Sequence, residues 1–266
     1  MGAGMKIAVA GKGGAGKTTI CATMARHLAR SGHRVVAIDG DTNPNLGPAL
    51  GLAPGTARPD FLPTSLVARR FDGPRLTEPV AEVLDRYAAA APDGVRLLRM
   101  GAPEHADEGC LCSAHATVRA LLADLDADGH QLTLLDLEAS PEHLSRGTAG
   151  NADVLLLVAE PYFRSLEAVR LQAGLAAETA ISRVVVVANK CRSQSDFDAI
   201  DEFCGRHGIE LIGWIPFSEV VLDADTAGRP LIDVDPDSPV VVAMTAIADS
   251  LVGAAVDRSD SAQEVA

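Results

Sequence analysis

A glycine-rich loop, GKGGAGKTT at residues 11–19, constrains this chain more than any other stretch. An apolar strand candidate at 6–10 leads into it, and a helix candidate at 17–30 leads out. The loop satisfies the pattern G-x-x-x-x-G-K-[ST], in which glycines let backbone N–H groups wrap a phosphate and the helix N-terminus adds partial positive charge. A purely structural turn would not need all three elements in this order. The loop therefore predicts a phosphate-binding α/β fold.

Short apolar runs alternate with amphipathic stretches along the rest of the chain. Strands that are apolar throughout and separated by helices indicate a parallel sheet covered on both faces. We therefore expect a single doubly wound α/β domain over residues 1–256, with a mostly parallel sheet, and a disordered acidic tail at 257–266. The proline-rich segment 53–80 is interpreted as a long irregular excursion. The strand candidates are 6–10, 34–39, 96–100, 132–137, 154–159, 183–188 and 210–215, and the helix candidates are 17–30, 113–126, 163–179 and 195–207.

The composition of the chain excludes some classes of partner and favours one cellular location. The net charge of −13 repels nucleic acid and anionic membranes, so neither is expected as a partner. The longest apolar runs are too short to cross a bilayer, and no signal peptide is visible, which favours a cytoplasmic location. Five cysteines in such a chain indicate metal or redox chemistry, or burial, rather than a disulfide framework.

The loop residues have distinct expected roles. In loops of this pattern the lysine reaches the β- and γ-phosphates, and the hydroxyl that follows it binds Mg²⁺. These residues are Lys17 and Thr18 here. The nucleotide-contacting residues predicted in the loop are Gly13, Gly14, Ala15, Gly16, Lys17, Thr18 and Thr19.

Lys12, directly after the first glycine, is not needed to hold a phosphate in its own subunit. The form KGGxGKTT resembles the deviant phosphate-loop ATPases, the group of MinD, ParA, the nitrogenase iron protein and the arsenite-pump ATPases. The resemblance implies an ATPase that uses ATP and releases ADP, and a homodimer in which Lys12 reaches the nucleotide of the partner. An exposed lysine without such a role is the alternative.

Two aspartate motifs follow in the order that this group has. AIDGDTNPNL at 37–46 ends a strand with Asp39 and Asp41, and LLDLEAS at 134–140 ends another with Asp136. The resemblance implies that Asp41 orients or activates the attacking water and that Asp136 holds the Mg²⁺ shell. Asp39 and Asp41 are alternatively interpreted as helix-capping or turn residues.

The base of the nucleotide is expected to meet two later segments. Asn189 and Lys190 in VVANK resemble an Asn-Lys base-recognition turn, and Arg192 stands where GTPases have an aspartate that reads guanine. This favours adenine. Residues 214–231 resemble the Ile-Pro loop of these ATPases, which implies that Pro216 and Phe217 contact the adenine.

Cys110 and Cys112 form a CxC pair. Residues 99–122 and 136–161 closely resemble the CooC-type ATPases, which mature nickel-dependent carbon monoxide dehydrogenase. The resemblance implies that the pairs of two subunits meet in a four-thiolate site for Ni²⁺ or Zn²⁺, in a cytoplasmic metallochaperone that serves a client such as a nickel carbon monoxide dehydrogenase. Four thiolates are a ligand set that both ions accept. Ser140 stands where a glycine is usual, which implies slow hydrolysis.

Three other interpretations compete with a shared metal site. The two cysteines could be incidental. A redox ATPase like the nitrogenase iron protein would hold a bridging iron–sulfur cluster, but it draws its cysteines from two separated positions. A positioning ATPase of the MinD/ParA kind would need a C-terminal amphipathic membrane helix or a basic DNA-binding surface, whereas the segment 257–266 is acidic.

Overall fold

A sheet of mostly parallel strands organises the structure. The computed structural model describes residues 4–53, 61–70, 73–101, 112–125, 131–138 and 149–263. The strands are β1 (Met5–Gly11), β2 (Arg34–Gly40), β3 (Val67–Arg70), β4 (Gly73–Leu76), β5 (Ala89–Ala90), β6 (Arg96–Arg99), β7 (Gln131–Leu137), β8 (Val154–Ala159), β9 (Arg183–Cys191) and β10 (Glu210–Pro216). The helices are α1 (Lys17–Arg30), α2 (Leu46–Leu50), α3 (Val80–Tyr87), α4 (Cys112–Leu125), α5 (Phe163–Ala176), α6 (Gln194–His207), α7 (Glu219–Thr226), α8 (Leu231–Val234) and α9 (Pro239–Gln263).

The strand order within the described residues is β10-β9-β8-β1-β7-β2-β6-β5. Neighbouring strands run parallel except for the short edge strand β5, which is antiparallel to β6. The central strand β1 pairs with β7 on one side and β8 on the other, with Val9 opposite Asp136 and Gly11 opposite Val158. The predicted doubly wound, mostly parallel sheet is confirmed. Its carboxyl edge brings the ends of β1, β2, β7 and β8 together.

Helices cover both faces of the sheet, because alternate residues of each strand point to opposite sides. Ile7 and Val9 of β1 are buried with residues of α1 and α9 in one apolar cluster. Ala8 and Ala10 are buried with residues of α4, α5 and α6 in a second cluster. Each fully buried aliphatic side chain of this kind contributes about 1.5–3 kcal/mol. This two-sided burial explains why the strands read as continuous apolar runs.

The segment 53–80 is not irregular throughout, as the sequence predicts it to be. Residues 61–70 and 73–80 contain a short 3₁₀ turn at Thr64–Leu66 and an antiparallel hairpin of β3 and β4, in which Val67 lies opposite Leu76. Leu66 and Leu76 are buried in the cluster that also includes α4 residues. The prediction failed because it rested on the high proline content of the segment. The local structure depends instead on the burial of two apolar side chains, Leu66 and Leu76.

The sequence predicts a disordered tail at 257–266. The backbone of the last helix, α9, is helical as far as Gln263, so the helix extends into this segment. Its earlier turns are held on the sheet by buried apolar residues up to Leu251. The division into a domain of residues 1–256 and a tail stays a prediction. Within the described ranges, α9 included, no helix combines the length and the apolar character needed to span a membrane.

Candidate functional site

The phosphate loop is shaped by two close backbone contacts. Gly11 has φ +147°, and a Cβ there would lie 2.7 Å from the carbonyl oxygen of Val158 in β8. Gly16 has φ +98° and directly precedes α1, and a Cβ there would lie 2.6 Å from Nδ2 of Asn189. Only glycine meets these two demands. Helix α1 therefore begins at Lys17, and the N–H groups of its first turn, which lack intrahelical acceptors, lie at the loop.

Asn189 and Lys190, predicted to recognise the base, contact the loop itself. The Asn189 side-chain amide donates to the carbonyl of Ala15 at 2.6 Å, and the Lys190 ammonium donates to the carbonyl of Gly14. Lys190 adopts the left-handed conformation, with φ +59°. These two bonds hold loop carbonyls at the end of β9.

Lys17 lies folded over the loop, where its ammonium donates to the carbonyl of Lys12 at 3.2 Å. Its side chain is buried, and burial lowers its pKa, while the charges of Asp136, Asp41 and Glu138 oppose that shift. A partly desolvated ammonium beside several carboxylates interacts strongly with any anion that enters the loop. Its placement fits the predicted contact with the β- and γ-phosphates.

Thr18 and Asp136 meet as predicted. The Thr18 hydroxyl donates to Oδ2 of Asp136 at 2.6 Å, while Oδ1 is buried without a hydrogen-bond partner among the described residues. Burial raises the pKa of Asp136 to about 7, the bond from Thr18 opposes the shift, and the charge of Asp39 adds to it. A hydroxyl and a carboxylate oxygen are ligands that Mg²⁺ prefers. The pair therefore fits a magnesium site.

Asp39 and Asp41 lie at the end of β2, where Asp39 is in register with Asp136 of β7. The Asp39 carboxylate accepts from the N–H of Leu46, at the start of α2, at 2.9 Å and from the N–H of Asp41 at 3.3 Å. Burial raises the pKa of Asp39 to about 6, and these two bonds oppose the shift. Asp39 is thus a capping residue of α2, which is the alternative interpretation of its motif.

Asp41 accepts a turn hydrogen bond from the N–H of Asn43 at 2.8 Å. It is half-buried, and its charge acts on Lys17. The carboxylate therefore lies near the predicted phosphate position and also makes a turn contact. Its role in orienting water stays a prediction.

Two site residues were missed in the sequence. Glu138 accepts from the Thr42 hydroxyl at 3.3 Å, and this bond joins the segment after β2 to the segment after β7. Tyr162 accepts from the Lys12 ammonium, with 3.3 Å between Nζ and the phenol oxygen. Glu138 directly follows β7, and Tyr162 is the third residue after β8. Their positions after strands whose ends carry the site are the signal that could have identified them.

An apolar cleft opens beside the loop. The predicted adenine contacts Pro216 and Phe217 lie in its wall. The Arg192 guanidinium lies 3.6 Å from the centre of the Phe217 ring. A flat apolar base fits such a lining. The other residues of the lining are Gly16, Thr19, Asn189, Lys190, Ser218, Val221, Leu222, Val240 and Met244.

The predicted metal ligands lie at the limit of the described structure. Cys110 is outside the described residues, as is Ser140, and Cys112 is the first residue of α4. The other three cysteines are buried, and burial raises the pKa of each thiol, to about 11 for Cys191 and Cys204. Those thiols are neutral and inert at physiological pH, and burial is one of the uses that the sequence predicts for its cysteines.

The chain is similar to known proteins in both sequence and fold. Residues 6–232 match the family described as the CobQ/CobB/MinD/ParA nucleotide binding domain. The chain belongs to this family. The MinD/ParA family fold also appears in solved structures: MinD of Aquifex aeolicus aligns with a TM-score of 0.71 and 21% identity, over 94% of this chain and 97% of that one. MinD of Pyrococcus horikoshii OT3, complexed with Mg-ADP, aligns with a TM-score of 0.66 and 17% identity, over 93% and 95%. At these identities the likeness shows the fold alone.

Sequence relatives within the MinD/ParA family are more similar. The carbon monoxide dehydrogenase accessory protein CooC of Rhodospirillum rubrum is 38% identical over 246 residues, which cover 87% of this chain and 91% of that protein. An uncharacterised ATP-binding protein of Methanocaldococcus jannaschii is 32% identical over 85% of this chain and 91% of that protein. The resemblance to the CooC-type ATPases is therefore confirmed, and the chain is an ATPase.

Proposed function

We propose that this ATPase is a homodimeric metallochaperone that binds a soft divalent metal, nickel rather than zinc, through Cys110 and Cys112. The observation that carries the proposal is the 38% identity with CooC over 87% of the chain, together with a CxC pair whose thiolates suit such a metal. The metal is the cargo, and the client is a metalloenzyme of the nickel carbon monoxide dehydrogenase kind.

The nucleotide site has the parts that ATP hydrolysis requires. Lys17 and the loop N–H groups bind the phosphates, and the apolar cleft takes the adenine. Thr18 and Asp136 hold Mg²⁺, which supplies positive charge to the phosphate oxygens; the buried oxygen of Asp136 without a hydrogen-bond partner among the described residues supports this assignment. Asp41 orients the attacking water, and Lys12 acts on the nucleotide of the partner subunit.

The surface near Lys12 has features that support the proposal of a homodimer. Tyr162 is 40% exposed and Phe163 is 74% exposed, and they are consecutive residues at the carboxyl edge of the sheet. Adjacent exposed aromatic side chains beside a lysine are typical of residues that another protein covers. A two-fold dimer through this face would bring Lys12 of each subunit towards the loop of the other.

The chain connection between metal and nucleotide supports their coupling. Cys112 begins α4, and after the segment 126–130 the chain enters β7, which ends beside Asp136. One continuous stretch of chain therefore joins the magnesium ligand to the proposed thiolates. Because metal and nucleotide both favour the same associated state, each must change the affinity of the other by an equal factor.

The test compares two double variants. Cys110→Ser with Cys112→Ser removes the proposed ligands, while Cys191→Ala with Cys204→Ala removes two buried thiols and is the matched control. We expect calorimetry and sedimentation to show one Ni²⁺ per two chains in the wild type and the control, and none in the CxC variant, whose ATP affinity without metal stays within about twofold of the metal-free wild type. One metal per chain, or unchanged metal binding without the CxC pair, would contradict the shared site. A matched Zn²⁺ titration and reconstitution of a nickel-free client identify the cargo.

A positioning ATPase is the second candidate, since α9 is helical as far as Gln263 and so occupies the C-terminal place where a membrane helix would lie. The net charge of −13 opposes it. Sedimentation with anionic vesicles in the presence of ATP separates the two candidates, and we expect no binding. Iron and sulfide in the purified protein would instead favour the redox ATPase.

A further inference from the structure

A chain of polar contacts begins and ends on the phosphate loop. The ammonium of Lys12 donates to the phenol oxygen of Tyr162 at 3.3 Å. The Tyr162 hydroxyl donates to Oε2 of Glu160 at 2.8 Å, and Oε1 of Glu160 accepts from the Lys190 ammonium at 2.9 Å. The Lys190 ammonium also donates to the carbonyl of Gly14. These contacts form a closed circuit that fixes where the Lys12 side chain lies.

The turn that carries Tyr162 is held firmly. The N–H of Glu160 donates to the hydroxyl of Ser165 at 2.9 Å, and Ser165 is fully buried in the first turn of α5. The N–H of Tyr162 donates to the carbonyl of Glu160 at 2.7 Å, and Pro161 between them restricts the backbone. The phenol is therefore presented to Lys12 by a rigid turn rather than by a mobile surface side chain.

Two ammonium groups of one subunit, those of Lys12 and Lys190, share a single carboxylate in this cluster. Glu160 is 7% exposed, and its one carboxylate serves Lys190 directly and Lys12 through the Tyr162 hydroxyl. The Lys12 ammonium also lies 5.2 Å from the centre of the Tyr162 ring, within the range of a cation–π contact. Lys12 thus has a defined place in its own subunit, at the face where the proposed partner docks.

We propose that Tyr162 is a positioning residue that holds Lys12 in its own subunit until a nucleotide-bound partner docks. The inference rests on the proposed dimer, in which Lys12 acts across the interface. Association then requires one such contact to break in each subunit. A single partly exposed hydrogen bond changes an equilibrium by about fivefold, so the two contacts together weaken association by about twenty-fold. The contact keeps subunits apart when the loop holds no nucleotide.

The first test measures how fast a reagent labels Lys12. The sequence contains four lysines, Lys6, Lys12, Lys17 and Lys190, so the labelling of each can be followed separately. Tyr162→Phe keeps the aromatic ring and removes the hydroxyl, and Tyr87→Phe, at the other tyrosine of the chain, is the matched control. The nucleotide-free proteins are treated with dilute acetic anhydride, and labelling at Lys12 is measured by peptide mass spectrometry. We expect about fivefold faster labelling of Lys12 in Tyr162→Phe and no change in the control. Equal rates in all three proteins overturn the proposal.

The second test measures ATP-dependent association by sedimentation. Tyr162→Phe is expected to associate about twenty-fold more tightly than the wild type, and the effect should vanish in the Lys12→Gln background, where the hydroxyl has no ammonium to hold. Weaker association or slower turnover in Tyr162→Phe would show that the hydroxyl instead prepares Lys12 for the partner, which overturns the proposal. Faster labelling of Lys12 with no ATP-dependent association of either protein supports the contact and rejects the dimer on which its regulatory role depends.

Discussion

At the scale of single residues, Asp39 and Asp136 are two buried carboxyl groups, a residue type that an ordinary apolar core does not contain. They lie in register on β2 and β7, each almost fully buried. Burial raises the pKa of both carboxyl groups, and the negative charge of Asp39 raises the pKa of Asp136 further. Asp39 is compensated by two backbone N–H groups, whereas Oδ1 of Asp136 has no partner among the described residues. The charge of Asp136 therefore costs stability, which is consistent with the proposed role of this residue in binding Mg²⁺.

Substitution Asp136→Asn tests this cost. A carboxyl whose pKa is raised on folding, here to about 7, destabilises the protein increasingly as pH rises from its unfolded pKa near 4 to its folded pKa, and the loss is complete above pH 7. We expect Asp136→Asn to be more stable than the wild type at pH 7.5 by up to about 4 kcal/mol, and so to unfold at a higher temperature, and not to hydrolyse ATP. The difference should shrink towards pH 4.

Thermal unfolding of the nucleotide-free protein across this pH range provides the measurement. Asp85→Asn is the control, because the Asp85 side chain is 75% exposed and its loss should change neither the stability nor the pH dependence. An Asp136→Asn variant that is no more stable than the wild type at pH 7.5 would contradict the assigned burial cost.

At the scale of elements, the junction of β1 with the loop depends on the neighbouring strand β8. Gly11 lies opposite Val158 in the parallel pairing, and the loop turns away from the sheet at this point. The left-handed φ and the close carbonyl of Val158 both exclude a side chain. The sheet itself thus decides where the loop begins.

Two alanine substitutions separate backbone strain from the clash with β8. Gly11→Ala meets both a φ of +147° and a carbonyl 2.7 Å away, whereas Gly14→Ala meets a φ of +78° with no described atom within 4 Å. We expect Gly11→Ala to cost about 2–4 kcal/mol and to abolish ATP binding, and Gly14→Ala to cost about 1 kcal/mol. Urea unfolding and ATP titration measure both, and equal costs would remove the proposed role of β8.

At the scale of the whole molecule, the proposed dimer completes the ATPase site, because a second subunit supplies Lys12. Within one subunit that lysine is held on Tyr162, at the carboxyl edge of the sheet. Asp41 belongs to the loop side of the same subunit, where its charge acts on Lys17. Hydrolysis in the proposed dimer therefore draws Asp41 from one chain and Lys12 from the other.

Mixing two inactive variants tests this division. In a heterodimer of Lys12→Gln and Asp41→Asn, one site has both intact residues and the other has neither. A 1:1 mixture forms heterodimers as half of its dimers, so we expect about a quarter of the wild-type ATPase activity. Lys12→Gln mixed with the double variant should recover no activity. No recovery in the test mixture would place both residues in one subunit, whereas recovery in that control would show that Lys12 is not required for hydrolysis.

The alternation of apolar runs with amphipathic stretches was sufficient to predict the sheet and its covering helices, because strand type and two-sided burial follow from local patterns. The loop motif predicted that Thr18 binds Mg²⁺, and the family resemblance assigned Asp136 to the shell of the same ion; the two side chains do meet at one edge of the sheet. The tertiary structure alone decided that Leu66 and Leu76 anchor a hairpin within the proline-rich segment. It also decided that Asp39 caps a helix and that Asn189 holds a loop carbonyl.

The Tyr162 contact shows the physical reason for this difference. Lys12 and Tyr162 lie 150 positions apart in the sequence, and the distance between them depends on the pairing of β1 with β8 and on the turn that Ser165 holds. The local spacing of residues is enough to predict the type of an element and to identify a motif. Hydrogen bonds between the ends of different strands depend on strand order and register, and these are set by the packing of the whole chain.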